Sequence, residues 1–234
     1  MIRGFYAAAS GMILQLARQD GYAHNLANVN TAGFRRTRTA VAKFDENLAA
    51  AVGSASLANG GVVAREVGLD LTTGPLTPTE RPLDFALTGN AFFTIQTDRG
   101  LAYTRDGRFR LDDQRRLVTT QGHLVLGQNG PIVLPAGDVA VTEKGGVSCN
   151  GKPVDTLRLA EPGNPRAVGH GLYSAAQTRP PTAYAVSQGM VEQSNVNAMQ
   201  EMGRMLNGFR LYEANTTALR YQDDTLTTLY KVVE

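Results

Sequence analysis

The chain reads as an α+β protein, with N- and C-terminal helices forming a coiled-coil-like helical domain and a central antiparallel β-rich domain between them. Three observations predict this. Apolar residues recur at alternating three- and four-residue steps at both ends of the 234-residue chain, the middle carries short apolar runs divided by turn signals, and an Asn-rich segment closes the first helical stretch.

The first stripe runs Ile2, Phe5, Ala9, Met12, Leu16, Gln19, Ala23 and Leu26, with Gln19 its only polar member. The second runs Met199, Met202, Leu206, Phe209, Tyr212, Thr216, Leu219, Asp223, Leu226, Tyr230 and Val233, with one extra three-residue step from Phe209 to Tyr212 that reads as a local overwinding. Glycines 4, 11, 21, 203 and 208 and threonines 216, 217, 225, 227 and 228 weaken both helices. Helices of this kind depend on neighbours, so the termini are expected to be loose in the single subunit and ordered in an assembly. Asn197 is the expected N-cap of the second helix, with Gln200 three residues on as its capping-box partner.

Between the stripes, Phe92–Gln96, Tyr103–Leu111 and their neighbours alternate with turn signals at Asp98-Arg99-Gly100, Gln121-Gly122, Asn129-Gly130-Pro131 and Asn150-Gly151. Asp106-Gly107 reads as a type I′ hairpin, which places Gly107 at positive φ and Arg108 and Arg110 opposite Phe109. A short helix is expected around Phe44 and Leu48, followed by a flexible loop through Gly53, Gly60 and Gly61. The expected division is 1–34 for the N-terminal helix and boundary motif, 35–68 for an extended linker, 69–186 for the β-rich outer domain, and 187–234 for a linker strand and the C-terminal helix.

Composition excludes several function classes. A net charge of +2 gives no field for nucleic acid or acidic lipid, and Ser10, Gln15, Arg18, Gln19 and Asp20 interrupt the opening apolar stretch, which therefore reads neither as a membrane span nor as a secretory leader. Cys149 has no partner for a disulfide, and its Gly- and Asn-rich surroundings suggest an exposed loop thiol. His24, His123 and His170 lack metal-ligand spacing, Gly60-Gly61 and Gly145-Gly146 lack the phosphate-loop lysine, and Asp112-Asp113 beside Arg110, Arg115 and Arg116 read as an ion-paired loop. No catalytic, metal or cofactor site is expected.

The boundary segment Asn25-Leu26-Ala27-Asn28-Val29-Asn30-Thr31-Ala32-Gly33-Phe34-Arg35 combines helix-stopping side chains, a glycine suited to left-handed backbone and one large apolar anchor. With Phe5–Met12 before it, this segment resembles the N-terminal signature of the bacterial flagellar rod and hook proteins, although His24 stands where that family usually has Asn. Tyr103-Thr104-Arg105-Asp106-Gly107-Arg108-Phe109, Asn90–Phe93, Gly171-Leu172-Tyr173 and Ser194-Asn195-Val196-Asn197 continue the resemblance through the centre and into the C-terminal region. The resemblance implies a non-enzymatic subunit of the flagellar basal body. Such a subunit is exported by the flagellar type III apparatus without a cleaved signal peptide and polymerises through its terminal helices into the periplasmic rod.

The implied partners are other copies of the chain, neighbouring rod proteins and the export apparatus, with no nucleic acid and no membrane insertion. The implied interface residues are Ile2, Phe5, Met12, Leu16, Asn25, Leu26, Asn28, Thr31, Gly33, Phe34, Met199, Met202, Leu206, Phe209, Leu219, Leu226 and Tyr230. Within the family, length and the segments 74–87 and 130–135 resemble the proximal-side member that bears a β-domain. The alternatives are a distal rod or hook-like subunit, or, from another class, a secreted β-domain binding module capped by helices.

Overall fold

The computed structural model describes residues 2–43 and 62–233, with side chains for 8–39, 68–225 and 227–228. The helix and loop expected around Phe44, Leu48 and Gly53–Gly61 lie outside the described residues. The chain divides into two units: 1–27, 37–67 and 197–234 form a helical unit, and 28–36 with 68–196 form a β unit.

In the helical unit, α1 (Ile2–Ala27) and α2 (Ala198–Val233) pair antiparallel. Asn25 meets Glu201, Gly208 faces Gln15 and Gln19, and Gly11 and Met12 meet Asn215 and Thr216. Asn197 caps α2 as expected, its Oδ1 accepting the Gln200 N–H at 3.1 Å. The threonines of α2 stay helical by donating their hydroxyls to the carbonyls four residues back, as Thr216 does to Tyr212 at 2.9 Å. Strands β1 (Thr37–Lys43) and β2 (Val62–Leu69) pair with each other, and Thr39 lies against Gly21 of α1, where a Cβ would come within 3.0 Å of its hydroxyl.

The β unit is built on an antiparallel ten-stranded sheet, with smaller two- and three-stranded sheets beside it. Its central strand β3 (Phe92–Thr97) is covered on both faces: Phe93 and Ile95 enter the main core with Phe85, Phe109, Leu117 and Ile132, while Phe92 enters a second cluster with Tyr103 and Tyr173. The turn signals at Gly100, Gly122, Gly130 and Asn150-Gly151 all take positive φ, and Asn150 (51°) with Gly151 (74°) makes a type I′ hairpin.

Three expectations fail. Tyr103–Leu111 is not one hairpin: β4 (Gly100–Thr104) pairs with β3, whereas β5 (Arg110–Leu111) pairs with β6 (Leu117–Val118). Gly107 is not at positive φ. It is required because Phe85 crosses it, and a Cβ there would fall 1.7 Å from the Phe85 carbonyl oxygen. Cys149 is not an exposed loop thiol either; it sits in β7 (Gly146–Cys149), buried, with Sγ 3.5 Å from the Pro135 carbonyl. The glycines around it shape the hairpin and leave its own inward strand position unchanged.

Candidate functional site

Within the β unit, the segment 28–36 is stitched to two others, 70–75 and 192–196, close to the positions where the chain passes into the helical unit. The helix-stopping residues act locally: Thr31 N–H donates to Asn28 O at 3.1 Å, Thr31 Oγ1 lies 3.2 Å from Asn28 Oδ1, and Gly33 takes φ 66°. Gly33 also lets two backbones touch, because a Cβ there would come within 2.4 Å of the Arg105 backbone. Phe34 is buried within the chain's own fold.

Glu192 organises this junction. It ends the strand Met190–Glu192, which pairs antiparallel with Leu76–Pro78. Its carbonyl accepts Gly33 N–H at 2.8 Å, and its Oε1 accepts Gly74 N–H at 2.8 Å. Arg35 Nη1 lies 2.6 Å from Oε1 and Arg105 Nη1 lies 3.2 Å from Oε2, with all three side chains sealed from solvent. Arg105 further donates to the carbonyls of Leu87 and Gly89 and stacks over the Phe92 ring at 5.0 Å. Tyr173 Oη accepts Arg35 N–H at 2.9 Å and meets Phe92 edge-on. Asn195 completes the stitching: its Oδ1 accepts Arg36 N–H at 2.7 Å, and its Nδ2 donates to Asp70 O at 2.8 Å and Thr72 O at 3.0 Å.

Two guanidinium groups share one carboxylate, so the cluster carries an excess positive charge. Burial pulls the Arg105 guanidinium down to about 10, with Glu192 opposing the shift and Arg35 adding to it. Arg105 therefore stays cationic at neutral pH. Burial also raises the Tyr173 phenol above its ordinary range. The carboxylate is enclosed and engaged through both oxygens, which suits it to holding chain segments together.

In the helical unit the site is a choice of faces. The face that α1 turns to α2 is carried by Gly11, Met12, Gln15, Gln19 and Asn25, which meet Asn215, Thr216, Gly208 and Glu201 of α2, and Ala8 and Leu14 of α1 are also buried. This face mixes small, polar and apolar side chains. Met12 and Gln19 apart, the apolar stripes read from the sequence along α1, and along α2 as far as Phe209, lie to one side of it, about 100° around each helix. Leu16 (53% exposed), Met199 (79%), Met202 (45%), Leu206 (61%) and Phe209 (51%) all point to solvent, together with Ile13. Met12, Leu26 and Leu219 are half-buried, and the side chains of Ile2, Phe5, Leu226 and Tyr230 lie outside the described residues. After the three-residue step at Phe209–Tyr212 the exposed stripe ends, and Tyr212, Thr216 and Leu219 are half-buried, with Thr216 against Met12 of α1.

Sequence reading missed Arg35, Arg105, Tyr173 and Glu192 as partners. The available signal was a single acid, Glu192, in the otherwise small and apolar run Gly189–Val191. Asp112 and Arg116 do form the expected ion-paired loop, at 2.7 Å. Among the described residues there is no cluster of His, Cys, Asp and Glu that holds a metal, and no helix is long and apolar enough to cross a membrane.

Paired terminal helices with exposed apolar side chains, and a central β unit whose segments are tied by one buried carboxylate, have the build of a structural protein. Three family models match in chain order: flagella basal body rod protein over residues 5–35, flagellar hook protein FlgE/F/G D1 domain over 86–149, and flagellar basal body rod FlgEFG protein C-terminal over 187–232. The chain is 37% identical over 237 residues to the flagellar basal-body rod protein FlgF of Rhizobium meliloti (strain 1021), covering 97% of this chain and 95% of the relative. It is 32% identical to FlgF of Escherichia coli K12, covering 96% and 95%, and 29% identical to FlgG of Bacillus subtilis (strain 168), covering 97% of each. The chain belongs to the flagellar basal-body rod protein family.

Proposed function

We propose that this chain is a FlgF-type subunit of the flagellar basal-body rod, polymerising through its terminal helices into the axial drive shaft. Its family is one of structural proteins, and its place is the flagellar basal body. The observation that carries the polymerisation reading is the outward apolar stripe of Leu16, Met199, Met202, Leu206 and Phe209. Each buried Leu or Phe side chain contributes about 1.5 to 3 kcal/mol, and the single chain forgoes much of that at these positions. Other copies of the chain and neighbouring rod proteins supply the missing cover, and the helices become fully ordered only there.

Assignment to the FlgF type is supported by alignment length. The match to Rhizobium meliloti FlgF spans 237 positions, whereas the match to Bacillus subtilis FlgG spans 256, so the FlgG relative carries residues this chain lacks. Export through the flagellar type III apparatus and a periplasmic position in the rod complete the proposal, with no enzymatic, nucleic-acid or membrane-spanning role. Deleting the gene should abolish flagella while leaving the inner-membrane ring and export apparatus in place. Wild-type motility in the deletion strain would refute the proposal.

A further inference from the structure

The chain crosses between its two units after Ala27, Arg36, Val67 and Val196, so the β unit emits two terminal tails and both ends of the intervening segment 37–67. Within the β unit these exits are bonded to one another. Gly33 N–H donates to Glu192 O at 2.8 Å and Asn195 N–H to Phe34 O at 3.4 Å, which joins the root of the N-terminal tail to that of the C-terminal tail. Asp70 N–H donates to Arg36 O at 2.8 Å, and Arg36 Nη1 lies 3.7 Å from Asp70 Oδ2, which closes the base of segment 37–67. Asn195 staples both sides of that base, since its one amide holds Arg36 N–H, Asp70 O and Thr72 O.

None of these bonds uses a residue of either helix. Among the described residues, the main core of the β unit draws nothing from 28–36. The segment is a strap laid across a core built without it, seated where Gly33 lets it approach the Arg105 backbone and where Arg35 reaches Glu192.

We propose that 28–36 is a clasp, closed on the β unit before either helix forms, that makes both terminal tails leave from one patch and so presents them to each other for pairing. The use of this pairing in polymerisation rests on the proposed function above, but the clasp itself belongs to the unassembled subunit and closes around loose tails. Its gain is entropic. The effective concentration of two points on flexible tails falls as about the −3/2 power of the chain length between them. Residues 19 and 208 are about 27 residues apart by way of the closed clasp. With the clasp open, the N-terminal tail is next held where Leu76–Pro78 pairs with Met190–Glu192, and the path lengthens to about 70 residues. Closure therefore raises the effective concentration of that pair about fourfold.

The test uses the full-length purified subunit. All four amides from Gly33 to Arg36 have acceptors, so hydrogen–deuterium exchange there should be at least tenfold slower than in the two terminal helices. In Gly33→Val a Cβ would come within 2.4 Å of the Arg105 backbone, and the protection of 33–36 should be lost while the amides of β3 stay slow. The tails are read with Gln19→Cys and Gly208→Cys in a Cys149→Ala background, two positions that face each other in the helix pair. Measured against glutathione, the effective concentration of the two thiols should fall about fourfold on adding Gly33→Val. It should stay unchanged on adding Gly151→Val, which strains a turn with open space around it.

Exchange at 33–36 as fast as in the tails would overturn the proposal. So would continued protection of 33–36 in Gly33→Val, or an undiminished effective concentration once that protection is gone. Should the valine variant fail to fold, Asn195→Ala removes the staple without adding bulk: faster exchange at Arg36 with a lower effective concentration is expected, and an unchanged effective concentration overturns the proposal. Failure of the rod-subunit reading would leave these results untouched, because none of them requires a polymer.

Discussion

Glu192 Oε2 lies 3.2 Å from Arg105 Nη1 with both side chains excluded from water, although 87 residues separate them along the chain. The pair matters because the same carboxylate also holds Arg35, so one acid joins the segment following α1 to the body of the β unit. Removing the acid leaves two buried guanidinium groups without a counter-charge. Glu192→Ala should destabilise the β unit by about 3 to 5 kcal/mol. Arg35→Met should cost less, because it leaves Glu192 and Arg105 as a balanced pair. Urea unfolding of the full-length subunit, followed by β-sheet circular dichroism, checks the order; equal losses for the two variants would contradict the charge accounting.

Phe34 is buried within the unassembled chain, so its contribution should be measurable without a polymer. Phe34→Ala should lower unfolding stability by about 3 to 5 kcal/mol, the usual cost of emptying a buried aromatic site. An unchanged unfolding midpoint in the isolated subunit would show that the ring packs only on assembly.

Burial raises the Tyr173 phenol, so the folded state keeps its proton where the unfolded chain has begun to lose it. Its contribution is fully present below the ordinary phenol value near 10 and is lost as pH rises through the folded value. Arg105 has the opposite sign. Its folded value of about 10 lies below that of the unfolded chain, so its contribution to stability rises with pH between the two. Tyr173→Phe isolates the first effect. The variant should cost about 1 to 3 kcal/mol at pH 7, where Arg35 N–H loses its acceptor, and the gap to wild type should narrow as pH rises above 10. A gap that widens would contradict the sign.

Gly33 and Gly107 should tolerate alanine far less well than Gly151. The first two face backbone atoms at 2.4 and 1.7 Å from a built Cβ, while Gly151 has positive φ but open space around it. Gly151→Ala should therefore cost only about 1 kcal/mol of backbone strain. Thermal unfolding of the three variants distinguishes steric exclusion from φ preference.

Features with local causes were legible in the sequence: the two helices, the Asn197 cap, and the turns at Gly100, Gly122, Gly130 and Asn150-Gly151. Features that depend on long-range pairing were not. Arg105 sits in a motif that reads as a charged hairpin, and nothing near it in the chain announces Glu192. The helical stripes were found with the correct period, but period alone does not say whether a stripe faces its own chain or another molecule. The answer lies in three dimensions, where Asn25 meets Glu201 across the helix pair while Leu16, Leu206 and Phe209 stay exposed. Gly107 was recognised as essential for the wrong reason, because Asp-Gly is a turn signal and the crossing Phe85 strand is invisible locally.

The most direct test of helix-mediated polymerisation is rod formation by a Leu206→Asp/Phe209→Asp variant expressed from the native locus. Both side chains point to solvent in the subunit, so the purified variant should keep the wild-type unfolding midpoint of its β unit. Basal bodies isolated from the cells should stop short of a complete rod, and the cells should not swim. Complete rods and normal swimming in cells carrying both aspartates would contradict assembly through the outward face of α2.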